Sequence, residues 1–174
     1  NVGANVVEAI IQERFKAGPF QNFSDFINRV LHKDLNKKSL ESLIKAGVFD
    51  SLNSERGQLL ANIDEILSFS QNLKKSQTLS QNSLFGSDYS SNGALRLKPA
   101  TSASTKEKLQ WEKELVGLYI SEHPLNRHER KLLMNKVKPI KELKTIKVSD
   151  NKNGNGLYRI AGVLTSIKKI ITKN

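Results

Sequence analysis

Cysteine is absent from all 174 residues, which excludes a disulfide framework and thiolate metal sites and fits a reducing interior. A cytoplasmic location is therefore expected. No apolar run approaches the roughly 20 residues that span a bilayer, so no membrane contact is expected. Residue 1 is Asn rather than Met, no basic and apolar leader follows it, and the chain stops inside an apolar alternating stretch. These features lead us to expect an excised piece of a longer protein. Acidic side chains are scarce: 28 Lys and Arg stand against 17 Asp and Glu, a formal net charge of +11. Such an excess points to a polyanionic partner, nucleic acid being the commonest. Residues 1–75 carry 10 basic and 9 acidic side chains, 76–105 carry 2 and 1, and 106–174 carry 16 and 7. Simple charge attraction thus belongs to the last third, and any nucleic-acid contact by the first third must use something other than a basic surface.

A catalytic constellation is also lacking. His123 and His128 are five apart with Pro124 between them, a spacing that does not share a helix face, and His32 stands alone as an expected surface residue. No metal site is expected. Glu107, Glu112 and Glu114 alternate with Lys106, Lys108 and Lys113 and read as a solvated helix face.

What is present is helical periodicity broken by short turns. Val6, Ile10, Ile11 and Phe15 predict an amphipathic helix that Gly18-Pro19 stops. Asn22 or Ser24 can cap a second helix bearing Phe23, Phe26, Ile27, Val30 and Leu31. A third is predicted at about 38–45, with Leu40, Leu43 and Ile44 inward. Asn53 or Ser54 then caps a long fourth helix carrying Leu59, Leu60, Ile63, Ile66, Leu67 and Phe69.

The turn at Gly47 has the form of a helix-hairpin-helix, and Gly3 reads as the hairpin of an earlier, incomplete copy. In such a hairpin glycine lets the backbone approach a phosphate, and unpaired N–H groups at the start of the next helix complete the anion site. The contact needs little positive charge and is indifferent to base sequence. Candidate duplex-binding residues are Val2, Gly3, Ala4 and Asn5 in the first hairpin, where no acid is nearer in sequence than Glu8, and Gly47 and Asn53 in the second.

Residues 76–105 are dominated by Ser, Thr, Asn, Gln and Gly, which bury too little apolar surface to offset ordering. A flexible linker is expected there. Within it Gln81, Ser83, Leu84 and Phe85 resemble the short peptide by which bacterial replication and repair proteins dock on the ring-shaped sliding clamp. Burying Leu84 and Phe85 contributes about 3 to 6 kcal/mol, less the cost of ordering the peptide, which implies a tether on the order of micromolar to millimolar.

Beyond the linker, Ser104 and Glu107 form a capping box that opens a helix with Leu109, Trp111, Leu115, Val116, Leu118, Tyr119 and Ile120, a face wide enough to be largely buried, ended by Pro124. A basic helix over 127–136 follows, closed by Pro139. Residues 157–172, rich in Ile, Val, Leu and Thr, predict one long strand.

In order and wording the chain resembles the C-terminal region of the bacterial C-family replicative polymerases, the DNA polymerase III alpha subunits. The residues that carry the resemblance are Val2-Gly3 to Ile11, Leu40 to Leu60, Gln81 to Gly86, and Glu112 to Leu125 with Gly117-Leu118-Tyr119-Ile120-Ser121-Glu122-His123-Pro124-Leu125. The resemblance implies tandem hairpins on duplex DNA, an internal peptide on the sliding clamp (the beta subunit), contacts with other holoenzyme subunits, and an OB-fold of which 157–172 is the first strand. It implies no catalytic residue and no cofactor in this segment, the family's polymerase carboxylates and Mg2+ lying upstream. Asn5 and Asn53 stand where the family usually has Gly, and Glu122 replaces a common Gly.

The expected architecture is mainly α: a tandem helix-hairpin-helix domain over 1–75, a flexible linker with the clamp motif over 76–105, a helical connector over 106–138, and the start of a truncated OB-fold over 139–174. The expected function is duplex DNA binding and clamp tethering within a replicative polymerase, with no catalysis by the segment itself. The alternatives are a clamp-tethered repair adaptor, the error-prone C-family paralogue, and a helical scaffold with no DNA role.

Overall fold

A computed structural model describes residues 2–82, 95–143 and 158–170, the side chains of 77–82 excepted. The chain divides into two compact units, Asn1–Ser121 and Glu122–Asn174. Residues 106–121, expected in a separate connector, therefore belong with the hairpins.

Five helices build most of the first unit: α1 Ala4–Ala17, α2 Phe23–Arg29, α3 Lys37–Lys45, α4 Arg56–Ala61 and α5 Ile63–Asn82. Their starts follow local chemistry. The Asn22 side chain accepts from Asp25 N–H, and Asn36 forms a reciprocal box with Ser39, each satisfying donors that a first helical turn leaves open. The core is one cluster that includes Val6, Phe23, Phe26, Ile27, Leu40, Ile44, Leu59 and Ile66, with Phe49 from the second hairpin inserted edge-on at 5.0 Å from Phe23 and 4.7 Å from Phe26.

Three expectations for this region are corrected. The fourth helix is capped by Glu55, whose carboxylate accepts from Gln58 N–H, and not by Asn53 or Ser54. Its periodicity is shared between α4 and α5 because Asn62 interrupts the run, its side-chain amide turned to Gln58 O at 2.8 Å. On α1 only Val6 is fully buried. Val7, Ile11 and Phe15 form an outward stripe, with Phe15 89% exposed.

The linker starts later than residue 76, because α5 continues through Asn82, where each further residue adds a backbone bond to a helix already nucleated. Gln81 lies on that helix, and Ser83, Leu84 and Phe85 lie outside the described residues. From residue 95 the chain is again attached: Leu95 and Leu97 pack on the core. Lys98 exchanges two bonds with the Asn62 amide, donating to Oδ1 at 2.8 Å and accepting from Nδ2 at 3.0 Å. Lys98 Nζ pairs with Glu65. The Ser104–Glu107 capping box then opens α6, Thr105–Leu115. It ends at Gly117, whose φ is +80°, well before Pro124, so Val116, Leu118 and Ile120 are exposed and the wide apolar face is not buried.

In the second unit a 3-10 turn Asn126–His128 leads into α7 Glu129–Met134, and α8 Ile140–Leu143 follows. No strand forms among the described residues. Over 158–170 the expected strand is reduced to one isolated parallel bridge, Val137 with Arg159, supported by Lys138 N–H to Arg159 O at 2.9 Å. Ile160, Leu164, Ile167 and Ile170 are exposed. A strand without neighbours leaves its ladder groups unpaired and is not stable alone.

Candidate nucleic-acid interface

The two hairpins differ in what fills them. At the first, Gly3 is the N-cap of α1 with φ −70° and ψ 149°, and its carbonyl accepts from Val6 and Val7 N–H at 3.1 and 3.3 Å. This backbone is open to any residue, and a Cβ on Gly3 would meet nothing within 4 Å. No side chain caps the helix and no acid lies in its first turn. Among the described residues the Ala4 and Asn5 N–H groups have no backbone acceptor, and they lie at the positive end of the helix dipole. Ala4 and Asn5 are exposed, and Val2 packs partly against the core. Asn5 is helical and has no need of positive φ. Its side-chain Nδ2 instead donates to Asp34 Oδ2 at 3.2 Å, which places a carboxylate closer to this hairpin than the sequence separation from Glu8 suggests.

The second hairpin is closed upon itself. Gly47 follows the C-cap of α3, with φ +80°. Its N–H donates to Ile44 O at 3.0 Å and Val48 N–H donates to Leu43 O at 3.1 Å, the paired closure in which glycine is favoured. The space a Cβ would need is taken by Arg56, whose Cζ would lie 2.8 Å away. Arg56 is 2% exposed. Its Nη1 donates to Lys45 O at 3.0 Å, its Nη2 to Asp50 Oδ2 at 2.6 Å and to Glu112 Oε1 at 2.8 Å, and its Nε to Asp50 Oδ1 at 3.0 Å. Glu112, fully buried, uses its other oxygen to accept from Ile120 N–H at 2.7 Å and Ser121 N–H at 3.0 Å.

Burial alone would push the Glu112 carboxyl up and the Arg56 guanidinium down. The bonds outweigh burial in both, and the acid is held below its ordinary range while the base is held above. In this cluster one guanidinium faces two carboxylates, one from the hairpin and one from α6. At the start of α4, Glu55 fills the place a phosphate would take, accepting from Gln58 N–H at 2.9 Å and Ala103 N–H at 2.9 Å. Asn53, with φ 54°, adopts the left-handed turn that its family position suggests.

Arg56 and Glu112 are the residues that sequence reasoning missed. Glu112 lies three residues from Leu109, on the face that is buried, and that phase was the available signal. The surrounding lysines instead suggested a solvated face. Among the described residues no three His, Asp or Glu gather where they could hold a metal. In the second unit the described residues carry nine basic side chains, Arg127, Arg130 and Lys131 among them, against three acidic ones.

The helix-hairpin-helix motif family matches residues 1–59. A DNA polymerase III subunit alpha from Borreliella burgdorferi is 37% identical across 99% of this chain, and one from Mycobacterium leprae 37% across all of it; each is matched over 15% of its own length. The subunit from Aquifex aeolicus is 35% identical across 99% of the chain and 13% of its own length. The chain thus spans about 15% of the length of the curated relatives it matches. Similarity that runs end to end, through both hairpins and the Glu112–Ser121 turn, has one reading: the chain belongs to the DNA polymerase III subunit alpha family.

Proposed function

We propose that this chain is a DNA-holding and clamp-tethering segment of a DNA-directed DNA polymerase, with the nucleotidyl transfer and its Mg2+ belonging to other parts of that polypeptide. The observation that carries the DNA reading is the start of α1: two N–H groups without a backbone acceptor among the described residues, beside a glycine with open space around it and with no acid in the first turn. A duplex phosphate seated there accepts from backbone donors, so binding is indifferent to base sequence. The basic second unit adds charge attraction to the same polyanion. Titrating the chain against unrelated duplexes of equal length tests this: equal affinities support it, and no binding at low salt refutes it.

The tether is assigned to Gln81, Ser83, Leu84 and Phe85, on their likeness to clamp-docking peptides. Leu84 and Phe85 stand two and three residues past the last residue of α5, Asn82, so their backbone lies within about 11 Å of that helix end. Pull-down with the sliding clamp should lose most signal in the Leu84→Ala/Phe85→Ala double variant. Equal capture of the two proteins would remove the assignment.

A further inference from the structure

We infer that the two hairpins divide their labour: the second is closed to phosphate and is the dock for the chain's own return segment, residues 95–121, leaving duplex contact in the first unit to the first hairpin.

Each feature that would make the second hairpin an anion site is already used internally. The close approach that Gly47 permits is taken by the Arg56 guanidinium. The cation is satisfied by Asp50 and by Glu112, which is 56 residues away in sequence. The first turn of α4 is capped by Glu55, whose other oxygen holds Ala103 N–H and which also pairs with Lys108 at 3.3 Å. Gly57, the second residue of α4, is bare for the same purpose: a Cβ there would lie 2.7 Å from Ala103 N and would overlap Thr101 O. Asn62 completes the row by pairing with both backbone groups of Lys98.

From Lys98 to Ser121 the return segment is therefore held by side chains of the hairpin and of the helix that leaves it. Only Asp50 of these charged groups is substantially exposed, at 44%, and it would repel a phosphate. The first hairpin differs in its backbone rather than in its acidity: Asp34, 43% exposed, lies against the Asn5 side chain, but Gly3 has open space around it and no side chain caps α1.

This division rests on the DNA reading for the first hairpin and on geometry alone for the second, and full-length chain separates the two. Gly57→Ala and Glu112→Ala are made independently, because either alone could disturb folding, and protection of core amides in α2 and α3 serves as the folding control. Hydrogen exchange at the Lys98 and Ala103 amides should accelerate at least tenfold in Gly57→Ala, and at Ile120 and Ser121 in Glu112→Ala. Duplex affinity should stay within about twofold of the parent chain in both. A tenfold loss of duplex affinity accompanying release of the segment would overturn the inference, as would unchanged exchange at all four amides. If the parent chain bound no duplex, the DNA reading would fail while the exchange data still decided whether the hairpin is the dock.

Discussion

Replacing Glu112 by Ala should be among the most damaging single changes in the first unit. It leaves Arg56, 2% exposed, with Asp50 and Lys45 O but without its second carboxylate, and it removes the acceptor shared by Ile120 and Ser121 N–H. Removing one partner of a buried pair costs about 3–5 kcal/mol. The two N–H groups add little, because Ile120 is exposed and water can reach them. Against a total stability of roughly 5–15 kcal/mol for a domain of this size, the change should lower Tm by roughly 10–20 °C. Urea unfolding followed by Trp111, the neighbouring residue and the chain's single tryptophan, measures it. Pairing Glu112→Ala with Arg56→Met should cost less than the sum of the two single changes, with a coupling of about 1–3 kcal/mol. A solvated helix face predicts no more than about 1 kcal/mol for Glu112→Ala. A cost that small, or additivity of the two changes, would refute the buried bridge.

Stability should also fall in acid. Glu112 and Glu55 both have carboxyls held below their ordinary value of 4.5 in the folded chain, against the opposing effect of burial, so between the folded and unfolded values the unfolded chain binds more protons and stability rises with pH. Their contribution is complete above about pH 4.5 and is lost as pH drops through the folded values; Glu112→Gln should flatten the profile there, and an unchanged profile would assign the acid sensitivity elsewhere. Gly18 and Gly47 both have positive φ, +76° and +80°, but only Gly47 faces a neighbour. Gly18→Ala should cost about 1–3 kcal/mol for backbone alone, because φ 76° with ψ −174° is a conformation essentially reserved for glycine, and Gly47→Ala about 1–2 kcal/mol for backbone plus roughly 1–3 kcal/mol for displacing Arg56, measured by thermal unfolding; a Gly47→Ala cost no larger than its backbone share would mean that Arg56 yields freely.

The sequence revealed most where one physical signal dominated. Helical phase placed Phe23, Phe26, Ile27 and Val30 correctly, and the reciprocal chemistry of Ser104 and Glu107 located the start of α6. The second hairpin was legible because Gly47 interrupts strong periodicity and adopts the positive φ that favours glycine. It was less informative where a local pattern competed with a distant partner. Glu112 among lysines carries no local sign of Arg56, and Asn62 carries none of Lys98. Residues 158–170 have strand composition, but composition cannot supply the neighbouring strands that would satisfy their backbone. Phe15 was grouped with Val6 and Ile10, yet it stands nine residues from Val6, about two and a half helical turns, so helical phase itself turns it to the opposite, outward side.

We propose that backbone donors at the first hairpin, and not local positive charge, seat the duplex. Anisotropy titrations of duplex DNA with the full chain and with Gly3→Val across a salt series test this. The side chain has open space in the folded chain, so it blocks only an approaching phosphate. Because the slope of log affinity against log salt counts neutralising cations, the substitution should lower affinity at least tenfold at every salt concentration while leaving that slope unchanged. Equal affinities for the two proteins would contradict it.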